Sequence, residues 1–242
     1  MTPSYPRNEN DPEGVKAARL ADAFFNRSFL DPAIKGTFPE DLVSLLKELD
    51  YLPEYTQSEL ELIKHNTIDI LGINYYQPRR IMKKESTERL SDKPMPDDYF
   101  DNYIWPERKM NPYRGWEIYE KGIYDCLINV RDNYGNLPCF ISENGMGVEG
   151  EERFVNADGM IEDDYRIEFV QDHLKYVHQA LQEGCNVKGY HMWTCMDNWS
   201  WTNAYKNRYG FIAVDLTQEG KRTIKKSGYW FKEVSDNNGF DA

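Results

Sequence analysis

Three short apolar runs constrain this chain more than anything else in it: TIDILGINYY from Thr67, LPCFISENG from Leu137 and NVKGYHMWTC from Asn186. Each follows a stretch with helical periodicity, and each passes from apolar residues into polar and aromatic ones. Continuous apolar runs of this length, flanked by Gly, Pro and Asn, read as buried strands. Helix and strand alternate, in units of roughly forty to seventy residues, a pattern that implies parallel strands joined by right-handed helical crossovers. The fold class is therefore α/β.

The helices between the runs are marked by their ends. Asp11-Pro12-Glu13 sets a capping acid before a proline at the first helical position and predicts a helix to about Phe29, with Val15, Ala18, Ala21 and Phe25 on one face. Further helices are expected at Glu40–Leu49, Ser58–His65 and Gly115–Tyr134. Another follows Asp163, with Ile167, Val170, Leu174, Val177 and Leu181 as its apolar stripe up to Gly184. The polar, aperiodic text from Gln77 to Pro112 predicts a long loop at an active site. Gly210–Asp215 with Arg222–Lys226 reads as a hairpin, with Lys221, Arg222, Lys225 and Lys226 on its solvated surface. A last helix is expected at Tyr229–Ser235.

Composition excludes several roles. A net charge of −12 argues against nucleic acid and anionic membranes, which are bound through clustered Lys and Arg. No apolar window is long enough to span a bilayer, and the opening MTPSYPRNENDPEG is not a signal peptide, so the expected location is cytoplasmic. Cys126, Cys139, Cys185 and Cys195 show no C-x-x-C pair and read as reduced core residues. His65, His173, His178 and His191 lack a ligand spacing; neither a metal nor an organic cofactor is expected.

The chemistry lies where the strands end. Asn74-Tyr75-Tyr76, Glu143-Asn144, and Trp193 followed by Asp197-Asn198 occupy those ends, the face on which side chains converge in a parallel barrel. A carboxylate there, next to an amide and beside a tyrosine from a neighbouring strand, suits a nucleophile held by hydrogen bonds. Trp193, Trp199 and Trp201 suit stacking on a sugar ring, with ordinary core packing as the alternative.

LGINYY, ISENG and MWTCMDNWSWTNAYKNRYGFIAVD resemble the three C-terminal motifs of glycoside hydrolase family 1, in the same order. The resemblance implies a retaining β-glycosidase on a (β/α)8 barrel, with Glu143 as nucleophile, Tyr76 bonded to it, Asn74 beside it and Trp193 as the sugar platform. A retaining mechanism requires a second carboxyl group about 5 Å from the first. In the family this acid sits in an Asn-Glu-Pro stretch on the fourth strand. The nearest text here, Asn8-Glu9-Asn10, lacks the proline and is not preceded by a predicted strand. TPSYPRNENDPE resembles the family's text just after the fifth strand, so residues 1–242 are expected to form one partial TIM-type barrel, strands six to eight. Its expected partner is an N-terminal barrel half, or a second copy of itself.

Family β-glucosidases generally carry Glu two residues after the Asp-Asn pair; here Asp197-Asn198-Trp199-Ser200-Trp201 puts Ser200 in that place. A hydroxyl tolerates a 6-phosphate that a carboxylate would repel. The resemblance is thus to 6-phospho-β-glucosidases and 6-phospho-β-galactosidases, acting on a phosphorylated disaccharide or aryl glycoside, with Ser200, Lys206 and Tyr209 at the phosphate and Trp201 near O4. Their lysine usually stands two residues before the tyrosine, where this chain has Asn207. The alternatives are an ordinary β-glucosidase and a non-catalytic half-barrel lacking the acid/base Glu.

Overall fold

The three apolar runs form one parallel sheet. In the computed structural model, which describes residues 1–86 and 93–241, the strands are Leu71–Asn74, Cys139–Glu143 and Val187–Tyr190. Cys139–Glu143 lies in the middle, pairing with both neighbours. The helices Lys121–Asn133 and Asp164–Gln182 form the crossovers and cover one face. Ile73, Tyr75 and Ile141 from the sheet pack there against Ile123, Leu127 and Val177. The other face stays open: Gly72, Asn74 and Lys188 are exposed on it, and Leu71–Asn74 is an edge strand among the described residues.

Several boundaries differ from the sequence expectation. The first helix, Pro12–Asp22, begins as read, with Asp11 Oδ1 accepting from Glu13 N at 3.2 Å. It then runs on through π turns at Ala23–Arg27 and Asp31–Lys35, stopping only at Gly36 with φ 70°. Its buried face carries Gly14, Ala17, Ala18 and Ala21, whereas Val15 and Phe25 are exposed. The small residues face inward because a second sheet packs close, with Ile81 and Phe100 against the alanines.

That second sheet lies partly in the stretch read as a loop. Ser4–Pro6 runs parallel to Arg79–Lys83, which pairs antiparallel with Phe100–Asn102. Charged residues flanking one inward isoleucine hide such a strand from a hydrophobicity reading. Residues 87–92 of the expected loop lie outside the described residues. Asn8-Glu9-Asn10 therefore does follow a strand; it forms an exposed turn, with Asn8 Oδ1 accepting from Asn10 N at 2.9 Å.

The helix expected from Gly115 starts at Lys121, because Trp116–Ile118 pairs with Lys109–Asn111 in a hairpin turned at Gly115, φ 73°. The C-terminal hairpin joins Ile212–Asp215 to Lys221–Ile224, and the last helix spans Lys226–Asn237. All four cysteines are free; Cys126, Cys139 and Cys185 are buried as read, but Cys195 is exposed. No helix among the described residues is long and apolar enough to cross a membrane.

Candidate active site

Alternation along Leu71–Asn74 and the two residues after it sets the site. Successive side chains of an extended chain point to opposite faces. Tyr75 enters the helix-covered core and donates to Tyr119 O at 2.5 Å, while Tyr76 turns to the open side and donates to Glu143 Oε2 at 2.7 Å. Burial pushes the Tyr76 phenol well above its usual value, and the bond to Glu143 pushes it the same way, so it stays a proton donor at neutral pH. Asn74 is the register partner of Glu143, and the ladder skips Ser142, whose hydroxyl donates to Asn74 Oδ1 at 2.7 Å. Tyr75 N donates to Glu143 O at 2.9 Å, fixing the carboxylate's backbone to the adjacent strand.

Asn144 ties all three strand ends together. Fully buried, it donates from Nδ2 to Tyr75 O at 2.8 Å, and its Oδ1 accepts from Tyr190 Oη at 2.7 Å. Its carbonyl accepts from Trp193 N at 2.8 Å, placing the half-buried Trp193 beside Glu143's strand. The Trp193–Thr194 peptide is cis. Two glycines let the chain leave this crowded point: a Cβ at Gly145 would overlap the Trp193 carbonyl oxygen, and one at Gly147 would overlap the Tyr209 ring.

Beneath the loops lies a buried ionic cluster. Arg166, on the Asp164–Gln182 helix, donates from Nη1 to Met146 O at 2.5 Å and Tyr209 O at 3.0 Å, and from Nε to Asp163 Oδ2 at 2.8 Å. It also pairs with Glu151. Burial alone would lower its pKa, but the adjacent Glu151 and Asp163 carboxylates outweigh that, and the net direction is upward. Lys225 joins the cluster with Nζ 2.5 Å from Glu151 Oε2 and 3.1 Å from Asp197 Oδ1. Lys225 is therefore buried, not on the solvated hairpin surface that its basic neighbours suggest.

Asp197 begins the loop that carries the remaining expected residues. Its Oδ1 accepts from Gly210 N at 2.8 Å, closing the loop at its root. Val148 and Arg208 exchange backbone bonds of 2.9 and 2.8 Å, which joins that root to the segment after Glu143. Ser200 and Ala204 exchange backbone bonds of 2.9 and 3.0 Å in a tight turn. Trp199 and Trp201 meet edge-to-face at 5.9 Å, and Trp201 is 92% exposed. Lys206 Nζ points to Glu149 Oε2 at 3.4 Å, on the outside of the loop. Asn207 is buried and donates to Tyr113 O at 3.3 Å. Tyr209 is buried, with Oη accepting from Arg114 Nε at 3.2 Å. Among the described residues, no group of three His, Cys, Asp or Glu side chains is placed to hold a metal ion.

The sequence profile of glycosyl hydrolase family 1 matches residues 1–240. The chain belongs to glycosyl hydrolase family 1. It is 63% identical over 240 residues to the 6-phospho-beta-glucosidase GmuD of Bacillus subtilis, covering 99% of this chain and 51% of that protein. It is 34% identical to a 6-phospho-beta-galactosidase of Leptotrichia buccalis, covering 96% of this chain and 52% of that protein. The family 1 b-glucosidase from Thermotoga maritima superposes with a TM-score of 0.84 at 31% identity, covering all of this chain and 51% of that one. The chain spans about half the length of the curated relatives it matches.

In this family 1 chain the structure gathers Glu143, Tyr76, Asn74 and Trp193 at one end of the parallel sheet, and hangs Ser200 and Tyr209 on a loop clamped to it. Lys206 and Trp201 stand at the outer side of that loop. Arg114 and Arg166 escape the sequence reading, which marks Asn144 only as the amide beside Glu143. Asn144 adjoins the candidate nucleophile and so had a signal; Arg166 looks like the polar face of its helix, and Arg114 sits 29 residues before Glu143 with no motif around it.

Proposed function

We propose that this chain carries the nucleophile side of a retaining 6-phospho-β-glycosidase site. The observation that carries the reading is the 2.7 Å bond from Tyr76 to Glu143 at the end of the middle strand. In this reading Glu143 attacks the anomeric carbon while a second carboxyl, about 5 Å away, protonates the departing aglycone oxygen; water, deprotonated by that same group, then hydrolyses the glycosyl ester. Tyr76 holds one carboxylate oxygen, leaving the other for attack, and the bond from Tyr75 N to Glu143 O holds the backbone that carries it. Trp193 presents a ring face to the sugar.

The second carboxyl is expected on strands that the relatives possess beyond the half matched here, corresponding to strands one to five of their barrel. The open sheet face and the edge strand Leu71–Asn74 suit an N-terminal barrel half or a second copy. The chain alone is then expected to be inactive, and turnover by the purified chain would remove this part of the reading.

Phosphate selectivity rests on Ser200 in place of an acid, and on the 63% identity to a protein named as a 6-phospho-beta-glucosidase. The pairing of Lys206 with Glu149 favours a second reading, an ordinary β-glucosidase. A 2-fluoro 6-phosphoglycoside should label Glu143 in the assembled enzyme, as read by peptide mass spectrometry. A label on another residue would overturn the nucleophile assignment, and faster hydrolysis of the unphosphorylated aryl glucoside would favour the second reading.

A further inference from the structure

We infer that Arg114 is the cation that receives the substrate's phosphate, and that Asn207 positions it there. The inference rests on the 6-phospho reading above and assigns that site its missing positive charge.

Each basic residue of the 199–209 loop is already engaged elsewhere. Lys206 reaches outward to Glu149 at 3.4 Å. Arg208 donates to Val214 O at 3.4 Å, and its guanidinium lies 4.0 Å from the buried Asp197. Asn207, where a lysine is expected, carries no charge and is too buried to meet a ligand through solvent.

Arg114 has the opposite character. Its Nε donates to Tyr209 Oη at 3.2 Å, so it stands directly on the hydroxyl proposed for the phosphate. Its guanidinium lies 4.4 Å over the Trp116 ring, and Trp116 lies 5.4 Å from Tyr76, which holds Glu143. The charge is thus on the same side of the loop as the candidate nucleophile. Among the described residues no carboxylate pairs with it, although acids outnumber bases in this chain by 12.

The neighbouring amides hold it in place. Asn203 Nδ2 donates to Asn207 Oδ1 at 2.6 Å, which fixes the Asn207 amide oxygen-first toward Asn203. Asn207 Nδ2 donates to the carbonyl of Tyr113, the residue before Arg114. A guanidinium has five N–H donors, and Tyr209 takes one of them. The others remain for phosphate oxygens, in the planar fork that suits them. Asn207 has exchanged the role of a lysine for that of a bracket.

The test is calorimetric titration of this chain with glucose 6-phosphate, glucose and inorganic phosphate, in the wild type and in the Arg114→Gln, Arg114→Lys and Asn207→Ala variants. Wild type should bind glucose 6-phosphate more tightly than either glucose or inorganic phosphate. Arg114→Gln should weaken glucose 6-phosphate binding by roughly 10- to 100-fold, the loss of a charge-assisted contact. Arg114→Lys should recover part of it, and Asn207→Ala should weaken it less than Arg114→Gln. A wild type that prefers glucose 6-phosphate with undiminished binding in Arg114→Gln overturns this inference alone. A wild type that does not distinguish glucose 6-phosphate from glucose overturns it together with the 6-phospho reading.

Discussion

Tyr76 Oη lies 2.7 Å from Glu143 Oε2, a donor from one parallel strand meeting a carboxylate on the next. The pair exists because Tyr75 and Tyr76 alternate, one into the core and one toward the open end. Replacing Tyr76 by Phe removes the donor without removing the ring that packs near Trp116 at 5.4 Å. A hydrogen bond to a charged group contributes about 1.5–3 kcal/mol. In the assembled enzyme, kcat/KM for the Tyr76→Phe variant should fall by about 10- to 100-fold with little change in melting temperature.

Asn144 should matter to stability more than its size suggests. Asn144→Ala strands both the Tyr75 carbonyl and the Tyr190 hydroxyl, which the amide bonds at 2.8 and 2.7 Å. Leaving buried polar groups unpaired costs about 1–3 kcal/mol each. Urea unfolding of Asn144→Ala is expected to show a loss of about 2–5 kcal/mol, against a much smaller effect for the exposed Asn10→Ala.

Lys225→Met leaves the buried Glu151 and Asp197 short of a counter-charge. Breaking a buried ion pair from one side costs about 3–5 kcal/mol. The unfolding free energy should fall by that order, and the exposed Arg222→Met should leave it nearly unchanged. Because Asp197 anchors the loop root through Gly210 N, glucose 6-phosphate affinity should fall in the same variant.

His173 sets an acid limit on stability. Burial depresses its pKa to about 4, although its bond to Phe169 O at 2.7 Å pulls the other way. Free histidine in the unfolded chain titrates near about 6.5, so the unfolded state binds more protons between the two values. Stability is therefore at its fullest above pH 6.5 and declines as pH falls toward 4. From pH 8 to pH 5 this single group should remove about 2 kcal/mol. Chemical denaturation at the two values checks it, and His173→Gln should flatten the decline.

The parallel sheet is legible in the sequence because strand runs and their crossovers are local text, and so is the Glu143-Asn144 pair of the candidate site. Burial of charge is not. Arg166 and Lys225 look like solvated residues to any reading based on hydrophobicity, and only the fold brings Glu151, Asp163 and Asp197 to them. The same blindness shifts the face of the Asp164–Gln182 helix: Arg166 and His173 are buried on it, while Leu181 is 43% exposed. Ile81 is missed for a related reason, since one inward residue between Arg80 and Met82, in a strand that begins and ends with charge, carries too little pattern to mark it. Trp116 shows the reverse error, a helix expected where a hairpin partner had not yet been seen.

The paired bonds between Val148 and Arg208 give the 199–209 loop a fixed root, beyond which Trp201 stands exposed at its tip. Replacements at Ser200, Trp201 or Lys206 change what the tip presents without passing through the residues that aim Glu143. A chain built this way can vary what the loop presents in one place while the bond between Tyr76 and Glu143 stays still in another, so a change at one need not disturb the other.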